Sequence, residues 1–315
     1  MRLYQETLAG ENRVALVSDD GRIQEIYIQR DRGMDLNDVV PAVIAHKAPF
    51  KNGYFTLSPA KESIYVYSKT PLTVGQKVTL KITKEARLGK DAVGTLTDLP
   101  PQKAADIAAS LSKKLSVPIS TDAFDFDQAI TDALAPAIIL KNGARIHVER
   151  TQACSTIDID SAASSHPFEE LNTGSIPEIV RQITLKNLSG LILIDFIGLK
   201  KTNELVALTE KIRDALVQDE RAEVLGHTRG GLIEIKRGRT YASLSDKLCD
   251  GTPYFTALST YYRIRRHLLK IKNPRIEITA APAVIQYLQS GEISAKYIPQ
   301  MDKAPDFFDI KEITK

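Results

Sequence analysis

Cysteine is scarce in this chain. Its two cysteines, Cys154 and Cys249, stand far apart with no Cys-x-x-Cys pair between them. A disulfide scaffold is therefore excluded. Long apolar runs are missing as well: none reaches the roughly 18–20 residues that span a bilayer. No hydrophobic stretch of a secretory leader follows Met1-Arg2, so the expectation is a cytosolic protein with no membrane partner. An excess of one charge is also lacking, since 42 Lys and Arg against 39 Asp and Glu leave a net charge of +3. Any binding of nucleic acid must then rest on clustered cations, and such clusters occur at 77–90 and 263–272. With 315 residues, 43% of them apolar and 26% charged, the chain is long enough for two or three compact units and is not disordered.

Two short carboxylate-bearing segments organise the middle of the chain. In Thr156-Ile157-Asp158-Ile159-Asp160, aliphatic and acidic residues alternate, which is the pattern of a strand with one buried and one wetter face. In Gly190-Leu191-Ile192-Leu193-Ile194-Asp195, a continuous apolar run ends in a carboxylate. That pattern reads as a strand buried on both faces whose end opens into a site. A carboxylate beside so much aliphatic surface needs a compensating charge, and a divalent cation supplies one. Two or three such oxygens suit Mg²⁺, with Mn²⁺ as a substitute. The plainer reading is a pair of aspartates that cap turns or pair with Arg and Lys.

The words around these aspartates resemble those of the ribonuclease E/G family. They are Glu149-Arg150-Thr151-Gln152-Ala153-Cys154 leading into Asp158, then Asn172, then Glu178-Ile179-Val180-Arg181-Gln182-Ile183, and then Leu188-Ser189-Gly190 leading into Asp195-Phe196-Ile197. Gln218-Asp219, Arg221 and the run from His227 to Arg237 follow in the same order. The resemblance implies metal-binding aspartates at Asp158 and Asp195, and Asp160 stands where the family usually has Asn. Asp160 and Asn172 would orient the water or the metal ligands from behind. The implied fold is an S1-type oligonucleotide-binding β-barrel joined to a DNase I-like α/β catalytic subdomain and a small C-terminal α/β unit.

Five expected segments follow. Residues 1–36 hold strands with an Asp19-Asp20-Gly21 hairpin turn; these would pack on an RNase H-like part. Residues 37–98 carry about five short strands broken by Pro, Gly and Asn, the count of an oligonucleotide-binding barrel. Base-stacking aromatics fall by resemblance on Phe55 and Tyr65, the alternative being that both are barrel core. Lys84 and Lys90 flank a loop that, in the family, contacts RNA. Residues 99–140 form a shortened helical RNase H-like connector, with Ala104, Ile107, Ala108, Leu111 and Leu115 at helical spacing. The family's 5′-monophosphate sensor has no room there. Residues 141–244 form the catalytic subdomain, entered through a hairpin with Asn142-Gly143 as a type I′ turn. Ser175-Ile176-Pro177-Glu178 reads as the capping box that starts its first helix. Arg229, beside Gly230 and Gly231, would bring a guanidinium to a phosphate. Arg237 on the next segment joins the RNA-binding set, unless that basic run is only a solvated face.

Residues 245–315 form the terminal unit. Where the family carries a two-cysteine zinc link, this chain has Asp246 and Cys249. One thiolate per chain is a poor zinc site, although two chains supply a Cys₂Asp₂ set in principle. Zinc and a homodimer are both open. His227 reads as a hydrogen-bonded structural histidine, His166 as a residue of a polar loop, and Cys154 as a small buried hydrophobe.

The expectation is a Mg²⁺-dependent endoribonuclease that cuts single-stranded RNA without requiring a 5′-monophosphate. The alternative is a non-catalytic RNA-binding protein that retains the fold. A scaffold that binds no RNA is the third reading, and it leaves the paired aspartates unexplained.

Overall fold

A computed structural model describes the chain except residues 9, 31–32, 50–51, 88, 163, 200–201, 249–252, 269–275, 291–293, 302–305 and 314–315. Two compact units result. One comprises Met1–Gln5, Arg13–Tyr27 and Gly33–Asp246, and the other Glu6–Asn12, Ile28–Arg32 and Lys247–Lys315.

The chain opens with β1 (Arg2–Leu8), β2 (Glu11–Val17) and β3 (Ile23–Arg30), a sheet in that order. In the first unit, Leu3, Val14 and Leu16 of this sheet pack with Ala108 of helix α1, defined below.

β4 (Val39–Lys47), β5 (Gly53–Leu57), β6 (Ser63–Tyr67), β7 (Lys77–Lys84) and β8 (Ala92–Leu96) close a barrel in the order β4-β5-β6-β8-β7. Period-2 alternation drives Ile44, Tyr54, Ile64, Val66, Leu80 and Ile82 into its core. α1 (Ile107–Leu115) and α2 (Phe126–Leu134) follow, their first turns capped by the carboxylates of Asp106 and Asp125.

The rest of the first unit is a six-stranded mixed sheet with two helices on one face. Its strands are β9 (Ala137–Ile139), β10 (Arg145–Arg150), β11 (Cys154–Asp160), β12 (Gly190–Asp195), β13 (Ala222–His227) and β14 (Ile233–Arg237), in the order β13-β14-β12-β11-β10-β9. α3 (Phe168–Leu185) is the crossover between the parallel neighbours β11 and β12, and α4 (Thr202–Ala215) follows β12. Ile157, Ile159, Ile192, Ile194, Ile233 and Ile235 meet Ile176, Ile179 and Ile183 of α3 and Leu205, Leu208 and Ile212 of α4 in one core. α5 (Leu244–Leu248) comes next in the chain.

Three expectations about local structure change here. β12 is buried on one face only: Ile192 and Ile194 are core, whereas Leu191 and Leu193 on the opposite face are half-buried. Helix α3 does not start at Ser175. It starts at Phe168 and holds Pro177 in its interior, and Ser175 Oγ donates to the Leu171 carbonyl at 2.7 Å rather than capping an end. The seven residues from Phe168 to Gly174 stay helical because Leu171 and Asn172 are buried there. The 140–144 turn is not type I′, because Gly143 has φ +85° but Asn142 is not in the left-handed region.

In the second unit, α6 (Pro253–Leu268), β15 (Ile276–Ala280), α7 (Pro282–Ser290), β16 (Lys296–Pro299) and β17 (Phe308–Glu312) build a three-stranded sheet, order β16-β15-β17, with two helices. Tyr261, Ile264, Ile278, Val284 and Leu288 form its core with Leu8. The buried pair Arg30–Glu11, at 2.9 Å, also belongs to this unit. Cys249, one of the two residues on which the zinc reading rests, lies outside the described residues.

Candidate active site

β11 and β12 run parallel in a register that sets Asp158 directly beside Asp195. Adjacent strands lie about 4.8 Å apart, and residues side by side in register point to the same face. The alternation that buries Ile157, Ile159 and Ile194 aims both carboxylates at the opposite, open face, where both are exposed. Burial of the strand end and then the negative charge of Asp158 raise the Asp195 pKa above the usual carboxylate range. The two acids thus repel each other at the carboxyl ends of two parallel strands, and a cation placed between them would relieve that repulsion.

The donor set fits a hard divalent ion that takes one or two carboxylates and keeps several waters. Among the described residues no set of three or more His, Cys, Asp and Glu side chains could hold a metal. Asp158 and Asp195 would be the holders, with the remaining positions left to water and substrate.

Asp160 lies two residues further along the same face and is exposed, with Arg145 of β10 as its cross-strand partner. Its Oδ1 accepts from the Ala162 amide at 2.9 Å, which closes the turn leaving β11. Asn172 is buried on α3, and both polar atoms of its side chain bond to the backbone of Ile197. Nδ2 donates to the Ile197 carbonyl at 2.9 Å, and Oδ1 accepts from the Ile197 amide at 3.0 Å. It therefore clamps the turn immediately after Asp195 and fixes where that carboxylate emerges.

A residue not singled out from the sequence stands on the other side of Asp158. His147 of β10 is its antiparallel cross-strand partner, so His147, Asp158 and Asp195 form one row across three strands. The signal was present in the alternation of Arg145 and His147 with Ile146 and Val148, but only the register reveals which acid His147 faces.

Arg229 is exposed in the loop between β13 and β14, which is closed by Thr228 N donating to the Leu232 carbonyl at 2.8 Å. Because Ile233 pairs with Ile194, this loop leaves the sheet at the same end as Asp195. Arg237 is a different case. Expected as an RNA contact, it is 1% exposed, with Nε 2.6 Å from Asp219 and Nη1 donating to the Leu188 carbonyl at 2.7 Å. It shares the core face with Ile233 and Ile235 and ties β14 to the segment preceding β12, so its role is structural.

On the barrel, Phe55 and Tyr65 point outward and are half-buried, while their neighbours Tyr54, Ile64 and Val66 fill the core. The core alternative for the two rings is thereby removed. Phe55 and Tyr65 are cross-strand partners with ring centroids 5.5 Å apart, and His46 stacks on the far side of Phe55 at 4.9 Å. Gly53 makes room for this arrangement, since a Cβ there would lie 2.5 Å from the Tyr65 hydroxyl. Strand pairing extends the row: Lys84 faces Val93, Val93 faces Tyr65, Tyr65 faces Phe55 and Phe55 faces His46. One transverse strip of the barrel surface thus carries a cation, an aliphatic side chain and three rings. Lys84 and Lys90 are both exposed. Between them Arg87 reaches the sheet, where Nη1 donates to the Ser189 carbonyl at 3.3 Å.

The remaining expected residues are placed as follows. His227 is exposed at the end of β13, not a structural histidine. His166 is exposed, with Nδ1 3.2 Å from Glu170. Cys154 is half-buried at the start of β11, and its Sγ lies 3.9 Å from Thr151 Oγ1. Asp246 forms an ion pair with Arg150 at 2.7 Å and accepts from Ser243 Oγ at 2.8 Å.

Residues 76–240, from the edge of β7 to just beyond β14, match the model of the Ribonuclease E/G family. The chain belongs to the ribonuclease E/G family. Ribonuclease G of Haemophilus influenzae is 31% identical over 199 residues, covering 58% of this chain and 40% of that protein. Ribonuclease E of Escherichia coli K12 is 28% identical over 190 residues, covering 55% of this chain and 18% of that protein. The match thus spans two fifths or less of the length of these relatives. Among solved structures, a multidomain protein with nucleic acid binding domains from Streptococcus pneumoniae TIGR4 aligns at 12% identity over 34% of this chain and 42% of that one, with a TM-score of 0.19. That score bears no weight on the fold. No helix among the described residues is long and apolar enough to cross a membrane.

Proposed function

We propose that this protein is a divalent-metal-dependent endoribonuclease that cuts single-stranded RNA. The observation that carries the reading is the in-register pairing of Asp158 with Asp195 at the ends of two parallel strands. A divalent cation held there supplies charge neutralisation at the phosphate and a lowered pKa for an attacking water. The protein's own side chains do the rest. Asn172 holds the turn immediately after Asp195 and so fixes where that carboxylate emerges. Arg229, exposed at the same end of the sheet, pairs with a phosphate oxygen of the strand being cut. Phe55 and Tyr65 stack bases, a grip indifferent to sequence because every base has a π-face. Lys84 and Lys90 add salt-sensitive attraction for the backbone.

In this reading the barrel is the family's S1 domain and the six-stranded sheet its DNase I-like subdomain. Only 40 residues separate β8 from β9, and two short helices occupy them. We therefore propose that cleavage needs no 5′-monophosphate and leaves a 5′-phosphate on the product. The five-segment division of the chain and a cytosolic location are part of the same proposal.

A non-catalytic RNA-binding protein is the second reading. It is favoured by the added charge at Asp160, which makes the open face more repulsive to phosphate. An RNA with a 5′-hydroxyl, incubated with Mg²⁺ or with EDTA, separates the two. Cutting only with Mg²⁺ supports the nuclease, and tight binding without cutting supports the module.

A further inference from the structure

Aromatic residues make up only 6% of the chain, so a large ring left partly in solvent against the turn that follows Asp195 asks for an explanation. Phe168 opens α3 and is 49% exposed. It does not hang free. A Cβ built on Gly198 would lie 2.5 Å from Phe168 Cδ2 and 2.8 Å from Cε2, so the ring lies against bare backbone that only glycine provides. Gly198 also has φ +63°, a conformation that side chains other than glycine rarely adopt. Gly198 is three residues after Asp195, at most about 10 Å of chain. Asn172, one helical turn beyond Phe168, clamps Ile197 in the same turn. One face of α3 therefore grips the 195–198 segment twice, by an amide on Ile197 and by a ring on Gly198.

Packing alone accounts for the face of Phe168 that covers Gly198, but it does not account for the half that remains in solvent. A leucine or valine would cover a glycine as well. A flat ring fixed on the backbone of the turn that leaves Asp195, at the end of the sheet where the two carboxylates emerge, matches a platform for a nucleobase. We infer that Phe168 is a positioning residue, which stacks the base next to the scissile phosphate and so sets that phosphate over Asp158 and Asp195. The inference rests on the endoribonuclease reading and adds a subsite to it. The barrel rings would hold bases away from the cut, and Phe168 would hold one beside it. His166 and Glu170, two residues to either side of Phe168 in sequence, face each other at 3.2 Å.

The test uses the full chain and a short unstructured RNA carrying one 2-aminopurine, moved stepwise across the cleavage site. Binding is read by fluorescence in an Asp158→Asn background, where the RNA stays intact. Cleavage is read with the active protein and Mg²⁺. Phe168→Leu keeps an apolar cover on Gly198 but removes the π-face, and Phe168→Trp keeps both. The expected result is 2-aminopurine quenching at one position beside the cut, lost in Phe168→Leu and kept in Phe168→Trp. Alongside it, kcat/KM falls about 5- to 150-fold in Phe168→Leu, the range for one stacked base, at unchanged Tm. Equal quenching and equal kcat/KM in Phe168→Leu and wild type overturn the inference. So does a loss that tracks a lower Tm and that Phe168→Trp fails to restore, which would assign the ring to packing. Wild-type protein that neither binds nor cuts RNA overturns the endoribonuclease reading itself, and the inference with it.

Discussion

The barrel and the six-stranded sheet bury one face of each strand by the same alternation, and each then displays a transverse row of side chains on its open face. Across the barrel that row runs Lys84, Val93, Tyr65, Phe55, His46. Across the sheet it runs His147, Asp158, Asp195. The first row is cationic at one end and aromatic at the other, with nothing to repel a polyanion. In the second row two like charges stand side by side, one of them with a raised pKa. A surface of the first kind is suited to hold a polyanion by itself, whereas one of the second kind would repel it until a cation arrives. In the proposed function, gripping and cutting would thus be divided between two open faces.

That contrast is sharpest in the aspartates. Asp158→Asn or Asp195→Asn should lower cleavage on the order of 10³-fold, comparable to losing a key electrostatic stabiliser. RNA binding measured by anisotropy should stay equal or become tighter, because a repelling charge has gone. Mg²⁺ at ten times its Kd should also stabilise wild type by about 1.4 kcal/mol, read as a rise in Tm. Neither variant should show that rise, which tests the metal without any cleavage assay.

The two arginines of the β13–β14 region sharpen the contrast between structure and grip. Arg237→Ala removes one partner of a buried ion pair and should destabilise the fold by about 3–5 kcal/mol in urea unfolding. Arg229→Ala should leave stability within about 0.5 kcal/mol. Its effect should appear in the salt dependence of RNA binding, whose log–log slope should shrink by about 1.

On the barrel, Phe55→Ala and Tyr65→Ala should each weaken RNA binding by about 1–3 kcal/mol, with kcat nearly unchanged at saturating RNA. A fall in kcat with no change in binding would erase the division between the two faces.

The smallest effect concerns pH. The Asp195 pKa is raised in the folded protein, so the folded state holds that proton more tightly than the unfolded chain does. The resulting stability is full below the unfolded carboxylate range and is lost as pH rises through the raised value. At neutral pH the charged pair therefore costs stability, by less than about 1 kcal/mol for groups this exposed. Asp195→Asn should raise Tm near pH 7, and the gain should vanish in acid.

Much of this was legible in the residues. The five barrel strands were readable as a count, because alternation and the Pro and Gly breaks mark them plainly. Arg237 was misread: it continues the period of Ile233 and Ile235 onto the core face, but its charge placed it in the RNA-binding set. Other features were hidden by what a linear pattern cannot carry. His46 follows the inward residues Ala42 and Ile44 by two-residue steps, yet it faces out because a register shift separates it from Ile44. The same irregularity frees Lys84 after Ile82. Ser175-Ile176-Pro177-Glu178 has the chemistry of a helix start, and the burial of Leu171 and Asn172 overrides it. His147 and Phe168 required strand register and the approach of α3 to Gly198, which are properties of the fold.

The measurement that bears most directly on the division between grip and chemistry is a paired assay on one RNA with a 5′-hydroxyl, reading binding and cleavage together. It compares wild type, the Asp158→Asn/Asp195→Asn double variant and the Phe55→Ala/Tyr65→Ala double variant, each with Mg²⁺ and with EDTA. The account predicts Mg²⁺-dependent cutting by wild type, tight binding without cutting by the aspartate variant, and weak binding with near-normal kcat by the aromatic variant. Undiminished cutting by the aspartate variant would contradict it.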